Sequence, residues 1–294
     1  MNPLPLTMQA GDWRAGLAPA LGGALLYLRH RGEPVMREWP DEGNVRRTAC
    51  FPLVPYANRI AQAGFEWQGA HHALARNFGD HPHALHGIGW QRAWSVQNAA
   101  PDRVCLSLHH DPRRDGAVGW PFAFVAWQEF RLDATGLAIG LELTNLAPIA
   151  APAGIGLHPF FRRTPDVSLG FAATGIWRNG PDDLPLDWCA MAAPWDHAMG
   201  RRLDDSVFDH DFSGWDGHAM ITEPSLRRRI AMVADPVFTH LRVFTPAGRD
   251  FFAAEPVSHR TDAVHHPEQA DSGWRVLAPG ESLRGWMRLE IAFY

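Results

Sequence analysis

Apolar and polar positions alternate without a break near the end of the chain. Leu283, Gly285, Met287, Leu289, Ile291 and Phe293 fall on one side, and Arg284, Trp286, Arg288, Glu290 and Ala292 on the other. A period of two sends successive side chains to opposite faces, so this stretch predicts a half-buried strand. The same alternation runs through Leu137, Ile139, Leu141 and Leu143, and through Val104, Leu106 and Leu108. Residues 122–132 predict another long strand, and the Asp-Ala-Thr-Gly that follows has the chemistry of a hairpin connection. Residues 24–29 and 226–233 also predict strands. Helical spacing is rare, because 24 Pro and 27 Gly interrupt almost every window. Residues 178–202, rich in Pro, Asp and Trp, predict a long ordered loop. No fixed-period repeat or compositional break divides the chain. The pattern predicts an all-β fold, one large antiparallel sandwich or barrel-like domain spanning 1–294.

Composition narrows the function classes. A chain of 294 residues with 46% apolar residues buries a core without staples and is not disordered. The longest near-apolar run, residues 17–28, contains Pro and Gly and is well short of the ~20 residues of a membrane span. It has no basic flank or clean cleavage site, so no secretory signal is expected. Cys50, Cys105 and Cys189 are odd in number and far apart, which fits reduced thiols in a cytoplasmic protein. The net charge of −5 argues against nucleic acid as a partner. All 27 basic residues are Arg. Without Lys there is no Schiff base, no usual pyridoxal-phosphate anchor and no P-loop lysine. Any ionic clamp must use guanidinium.

Four segments could carry chemistry. His81, His83 and His86 lie in HPHALHG among 16 histidines. A metal would want a third suitable ligand nearby, and the following stretch offers only Asp102 and Cys105, so no metal site is expected. His158, in Gly-Leu-His-Pro-Phe-Phe, is pushed into extended backbone by the following Pro and flanked by apolar residues. It suits proton transfer near neutrality, and a hydrogen-bonded core histidine would look the same. Glu255 interrupts the apolar run Phe-Phe-Ala-Ala-Glu-Pro-Val. A buried carboxylate there is either a base with a raised pKa or the partner of an Arg such as Arg59. Asn58-Arg59, between apolar neighbours, offers several fixed donors suited to a polyhydroxylated ligand or an internal carboxylate. The 13 Trp add flat faces of the kind sugars stack on, although many must serve the core.

Together these segments resemble the aldose 1-epimerase (galactose mutarotase) family. The similarity runs in order through Gly22-Gly23, then Asn58-Arg59-Ile60 leading to Gly64, Phe65 and Gly69, then Leu85-His86-Gly87 followed by Trp90 or Trp94. It continues through Gly156 to Phe161, with Phe160 in place of the usual Tyr, then Asp209 before Phe212-Ser-Gly-Trp-Asp-Gly217, and finally Glu255-Pro256. Asp204, Asp205, Asp209 and Asp211 crowd one stretch, and Asp209 aligns because Phe212 to Gly217 fits best after it.

The resemblance implies a β-super-sandwich that interconverts α and β anomers of an aldose, acting as a monomer or homodimer. It implies Glu255 as base toward the C1 hydroxyl, His158 as acid toward the ring oxygen, and His86 near that oxygen. Asn58, Arg59 and Asp209 would bind sugar hydroxyls. A protonated His and an ionised Glu coexist near neutral pH at their ordinary values. The chemistry needs no metal or organic cofactor, and the partner is a small sugar rather than nucleic acid or membrane. Three rivals remain. A hexose-6-phosphate mutarotase would use Arg162-Arg163 as a phosphate clamp. A carbohydrate-binding or regulatory protein would keep the fold without turnover. A glycoside hydrolase would want a second carboxylate.

Overall fold

The alternating stretches form strands. The structure is a computed structural model that describes residues 5–38, 43–203 and 207–294. The period-two stretch becomes Ser282–Phe293, paired antiparallel with Gly136–Asn145 on one side and Arg228–Ala234 on the other. Ser95–Ala99, Arg103–His110 and Phe124–Leu132 extend the sheet one way, and His218–Glu223, Ser168–Phe171 and Arg201–Arg202 the other, giving nine strands. Asp133 caps the hairpin as expected, its side chain accepting from the N–H of Thr135 and Gly136.

Three predicted boundaries move. The strand expected from 122 begins at Phe124, because Pro121 has no donor and Phe122 packs edge-on to Trp120 instead. Leu226 closes a 3-10 turn opened by Pro224, and the strand starts after Arg227, which is left-handed (φ 47). Residues 178–202 are not all loop. Pro185–Ala190 pairs with Gly175–Asn179 as an edge strand. Pro opens it and the charged Asp187 sits within it, bonded to Arg178 of the neighbouring strand, which is chemistry that edges tolerate. Among the described residues the α-helix is one turn, Pro112–Asp115.

A second sheet runs in the order Pro185–Ala190, Gly175–Asn179, Phe208–Ser213, His240–Thr245, Phe251–Val257, Gly156–Leu157 and Pro52–Leu53, with Phe160–Arg162 also pairing Phe251–Val257. One face of each sheet meets in a common core: Leu137, Ile139 and Leu141 from the nine-stranded sheet, Phe212, Leu241, Val243, Phe252 and Ala254 from the other. Packing of two antiparallel sheets makes this a β-sandwich.

The alternation then places the site. If Leu241 and Val243 enter the core, Arg242 and Phe244 face the other way; if Phe252 and Ala254 enter it, Phe251, Ala253 and Glu255 do not. That outer face is covered by a smaller apolar cluster containing Phe51, Trp90, Phe160 and Ala253. Ala24, which opens one strand of the N-terminal sheet (Leu6–Ala10, Trp13–Ala18, Ala24–His30 and Glu33–Pro34), joins that cluster. Gly22 (φ +65) makes this close approach possible, since a Cβ there would lie 2.2 Å from the Trp90 carbonyl oxygen.

Candidate functional site

Glu255 sits directly across from Arg242 on the neighbouring strand, and Arg242 across from Asp211 on the next. The register thus lays carboxyl, guanidinium and carboxylate in one row across three strands. Asp209, two residues before Asp211, faces the same side. Arg242 Nη1 donates to Asp211 Oδ1 and Thr261 Oγ1, both at 2.8 Å, and Nη2 lies 2.6 Å from Asp209 Oδ1. The Thr261 N–H donates to Asp211 Oδ2 at 2.8 Å. Arg242 and Asp211 are each 1% exposed, whereas the Asp209 side chain is 25% exposed and lines a cavity. Burial alone would raise the Asp211 carboxyl, but Arg242 and the Thr261 N–H bring it down to about 2.

His158 reaches the same place from the extended segment between Gly156–Leu157 and Phe160–Arg162. Its Nε2 is 3.2 Å from Glu255 Oε1. Its ring packs in an aromatic cluster: the Phe51 and Phe160 centroids lie 4.6 and 4.3 Å from it and 6.0 Å from each other, and the Arg37 guanidinium sits 3.6 Å from the Phe160 centroid. Phe160 thus works as a stacking face, for which the hydroxyl of the usual Tyr is not needed. Glu255 Oε2 is buried and has no hydrogen-bond partner among the described residues. An unpaired buried oxygen of this kind is a position for an incoming donor or acceptor.

His86 and Asn58 fix each other. The Asn58 N–H donates to His86 Nδ1 at 3.0 Å and the His86 N–H donates to the Asn58 carbonyl at 2.7 Å. Both residues are left-handed (φ 55 and 59), a conformation Asn and His tolerate better than most. Because Nδ1 accepts, a neutral His86 carries its proton on Nε2. Trp90 Nε1–H braces the loop by donating to the Leu85 and Gly87 carbonyls. Next in the chain, Arg59 donates to Asn58 Oδ1 at 3.2 Å and Asp183 Oδ2 at 3.1 Å, and stands 3.7 Å from Asp209.

All six expected residues, Asn58, Arg59, His86, His158, Asp209 and Glu255, line this one cavity of about 230 Å³. Its walls are Phe51, Phe78, Phe160, Phe244 and Phe251, with Arg46 also lining it. Among the described residues no Trp lines it, and its flat faces are Phe. Of the crowded aspartates, Asp209 faces the cavity and Asp211 is sealed behind Arg242, while Asp204 and Asp205 fall outside the described residues.

Two expectations about charge need correction. Glu255 is not paired with Arg59; Arg242 is the cation across from it and the stronger influence on it. Nor does the site favour an ion pair. Burial holds Glu255 well above the ordinary carboxyl range, with Arg242 pulling against it. Burial, followed by the Arg37 charge, holds His158 well below the ordinary imidazole value. His86 is likewise depressed, by burial first and His158 next. The pair therefore favours a neutral imidazole beside a protonated carboxyl. That form holds as many protons as the ion pair, and they differ only by a transfer across 3.2 Å.

Of the remaining HPHALHG histidines, His83 serves the backbone and His81 meets a carboxylate. His83 Nδ1 accepts from the Gln62 N–H and its Nε2 meets the Asp182 carbonyl; His81 Nε2 lies 3.2 Å from Asp183. Among the described residues, no three His, Cys, Asp or Glu side chains come together as metal ligands. Arg163, part of the expected phosphate clamp, donates to the Leu203 and Pro246 carbonyls, and neither it nor Arg162 lines the cavity. No helix among the described residues is long and apolar enough to cross a membrane.

Sequence reasoning missed Arg242 and the aromatic walls. Arg242 had a signal, since a cation within His240-Leu-Arg-Val-Phe-Thr245 sits on the face opposite Leu241 and Val243. Phe51 and Phe244 had none, because nothing local distinguishes a wall phenylalanine from a core one.

Comparison with known proteins bears on the family and the fold. The chain is 32% identical to the uncharacterized protein YphB of Escherichia coli, over 92% of this chain and 93% of that one. It is 30% identical, with a TM-score of 0.90 and 99% of both chains covered, to an Escherichia coli crystal structure provisionally described as an aldose 1-epimerase. A galactose mutarotase-like protein from Clostridium acetobutylicum shares the fold at a TM-score of 0.90 and 18% identity, over 98% of this chain and 95% of that one. The profile of the aldose 1-epimerase family matches residues 6–290. With the match spanning nearly the whole chain, the protein belongs to the aldose 1-epimerase family.

Proposed function

We propose that the protein is an aldose 1-epimerase that opens and recloses the ring of a neutral monosaccharide. One observation carries the reading: His158 Nε2 and Glu255 Oε1 lie 3.2 Å apart in a cavity of about 230 Å³. A cavity of that size has room for a sugar ring. A pair made of one imidazole and one carboxyl, rather than two carboxyls flanking a bond, favours mutarotation over hydrolysis between two sugars.

In the proposed cycle the pair shares one transferable proton. With it on His158, Glu255 takes the C1 hydroxyl proton while His158 Nε2 protonates the ring oxygen. The bond between C1 and the ring oxygen breaks and C1 becomes an aldehyde. The pair is now neutral imidazole and protonated carboxyl, the form that burial favours. Rotation about C1–C2 presents the other carbonyl face. On reclosure His158 takes the hydroxyl proton as that oxygen attacks C1, and Glu255 returns a proton to the carbonyl oxygen. The starting pair is restored with the opposite anomer formed. His86 Nε2–H donates toward the ring oxygen, and Asn58, Arg59 and Asp209 hold hydroxyls. Each positioned acid or base is worth ~10²–10⁴-fold, so the pair supplies roughly 5–11 kcal/mol.

The test is anomer exchange of freshly dissolved α-aldoses, with and without 6-phosphates, followed by polarimetry. The proposal expects faster exchange on unphosphorylated sugars. Acceleration of the 6-phosphates alone would instead identify a sugar-phosphate mutarotase. Sugar binding with only the buffer rate would identify a binding protein.

A further inference from the structure

Arg242 is the most heavily committed side chain near the cavity. It is 1% exposed and its two terminal nitrogens are spent on Asp209, Asp211 and Thr261. It also lies directly across from Glu255. Those contacts place one guanidinium between a carboxylate that lines the cavity and the carboxyl of the acid–base pair.

We propose that Arg242 is the positioning residue of this site: it pins Asp209 in the orientation that receives sugar hydroxyls and stabilises the ionised form of Glu255 from the adjacent strand. The inference rests on the mutarotase reading for its kinetic consequences, but its electrostatic half can be measured without turnover. Asp209 Oδ1 is held at 2.6 Å by Arg242, while Asp209 Oδ2 is 3.7 Å from Arg59, so the carboxylate is aligned between two cations with one oxygen facing the cavity side. Asp211 keeps Arg242 in place from behind and does not reach the cavity.

Other charges act on the same pair. From the strand beyond Arg242, Asp209 and Asp211 oppose Arg242 at Glu255, and Arg59 supports it. From the opposite side Arg37 acts on His158, and His158 in turn on His86. Arg242 acts on all three titrating groups in one direction, favouring the deprotonated form of Glu255, His158 and His86. Its loss must therefore move them together.

The experiment compares Arg242→Gln and Arg242→Lys with wild type in two readouts. One is the imidazole titration of His158 and His86 by NMR in the sugar-free protein. The other is the pH profile of anomer exchange, with KM and kcat separated. Arg242→Gln is expected to raise the His158 titration and both limbs of the profile by about one pH unit, as loss of a nearby opposite charge does for a carboxyl. Unmoved titrations and limbs in a folded Arg242→Gln protein would overturn the proposal. Arg242→Lys keeps the charge but cannot reproduce the planar fork, so KM should rise about tenfold with the limbs in place. A wild-type KM in Arg242→Lys would overturn the pinning of Asp209. Should Arg242→Gln not fold, Arg242→Lys decides. If wild type leaves anomer exchange at the buffer rate, the mutarotase reading fails, and the NMR titration still tests what Arg242 does to its neighbours.

Discussion

Asp211→Asn removes the charge that anchors Arg242 with almost no change in shape. The carboxylate accepts Arg242 at one oxygen and the Thr261 N–H at the other. An amide must turn its NH₂ toward one of them, setting donor against donor. Breaking a buried pair costs about 3–5 kcal/mol, and the surviving Asp209 contact places the expected loss near the lower end, about 3 kcal/mol. The pH dependence makes the prediction specific. Bringing the carboxyl from its ordinary 3.8 to about 2 is worth about 2 kcal/mol. Because the folded value is depressed, this stability is fully present above pH 3.8 and is lost as pH falls toward 2, where the unfolded chain takes the proton first. Urea unfolding of wild type and variant at pH 6 and pH 3 is the assay. The gap between them should narrow by about 1 kcal/mol at the lower pH. Asp209→Asn, at a side chain one quarter exposed, should cost less stability and mainly raise KM. A loss below about 1 kcal/mol for Asp211→Asn, or a gap that ignores pH, would refute the buried-anchor reasoning.

Three other outcomes follow from the same structure. His197 and His259 are buried as neutral rings, both pushed down to about 4, so each contributes stability above pH 6.5 that is lost as pH falls to 4, about 3 kcal/mol apiece. His259→Gln should flatten the stability–pH slope in that window by about 1.4 kcal/mol per pH unit, read from urea midpoints. Phe160→Ala strips both His158 and Arg37 of their stacking face and should cost about 3–5 kcal/mol by chemical denaturation, with loss of activity. The pH–rate profile should be bell-shaped, its acid limb below the ordinary imidazole value and its alkaline limb well above the ordinary carboxyl value, because burial opposes both charging His158 and ionising Glu255.

How far the chain could be read without coordinates depended on range. The strand Ser282–Phe293 was plain because its alternation is local and uninterrupted. Pro185–Ala190 was not, since an edge strand with Pro and Asp reads as loop until its partner is known. His158 and Glu255 stood out as polar residues in apolar runs, and the family resemblance put them in one site. Their distance of 3.2 Å depends on strand register, which no single segment encodes. Arg59 looked a fair partner for Glu255 because both are isolated charges. The partner across the sheet is Arg242, and only the pairing of His240–Thr245 with Phe251–Val257 reveals it. The protonation of the pair was misjudged for a related reason: ordinary pKa values assume water, and both groups here are buried.

The central claim is that His158 and Glu255 pass protons to and from a sugar ring. The most direct measurement is the rate of α-to-β exchange, by NMR on an aldose the wild type accelerates, in Glu255→Gln and His158→Asn. Both variants keep the shape of the site and remove proton transfer. The account predicts that each folds, binds the sugar and loses about 10²-fold or more of the acceleration. A folded variant of either kind that still exchanges anomers at the wild-type rate would contradict it.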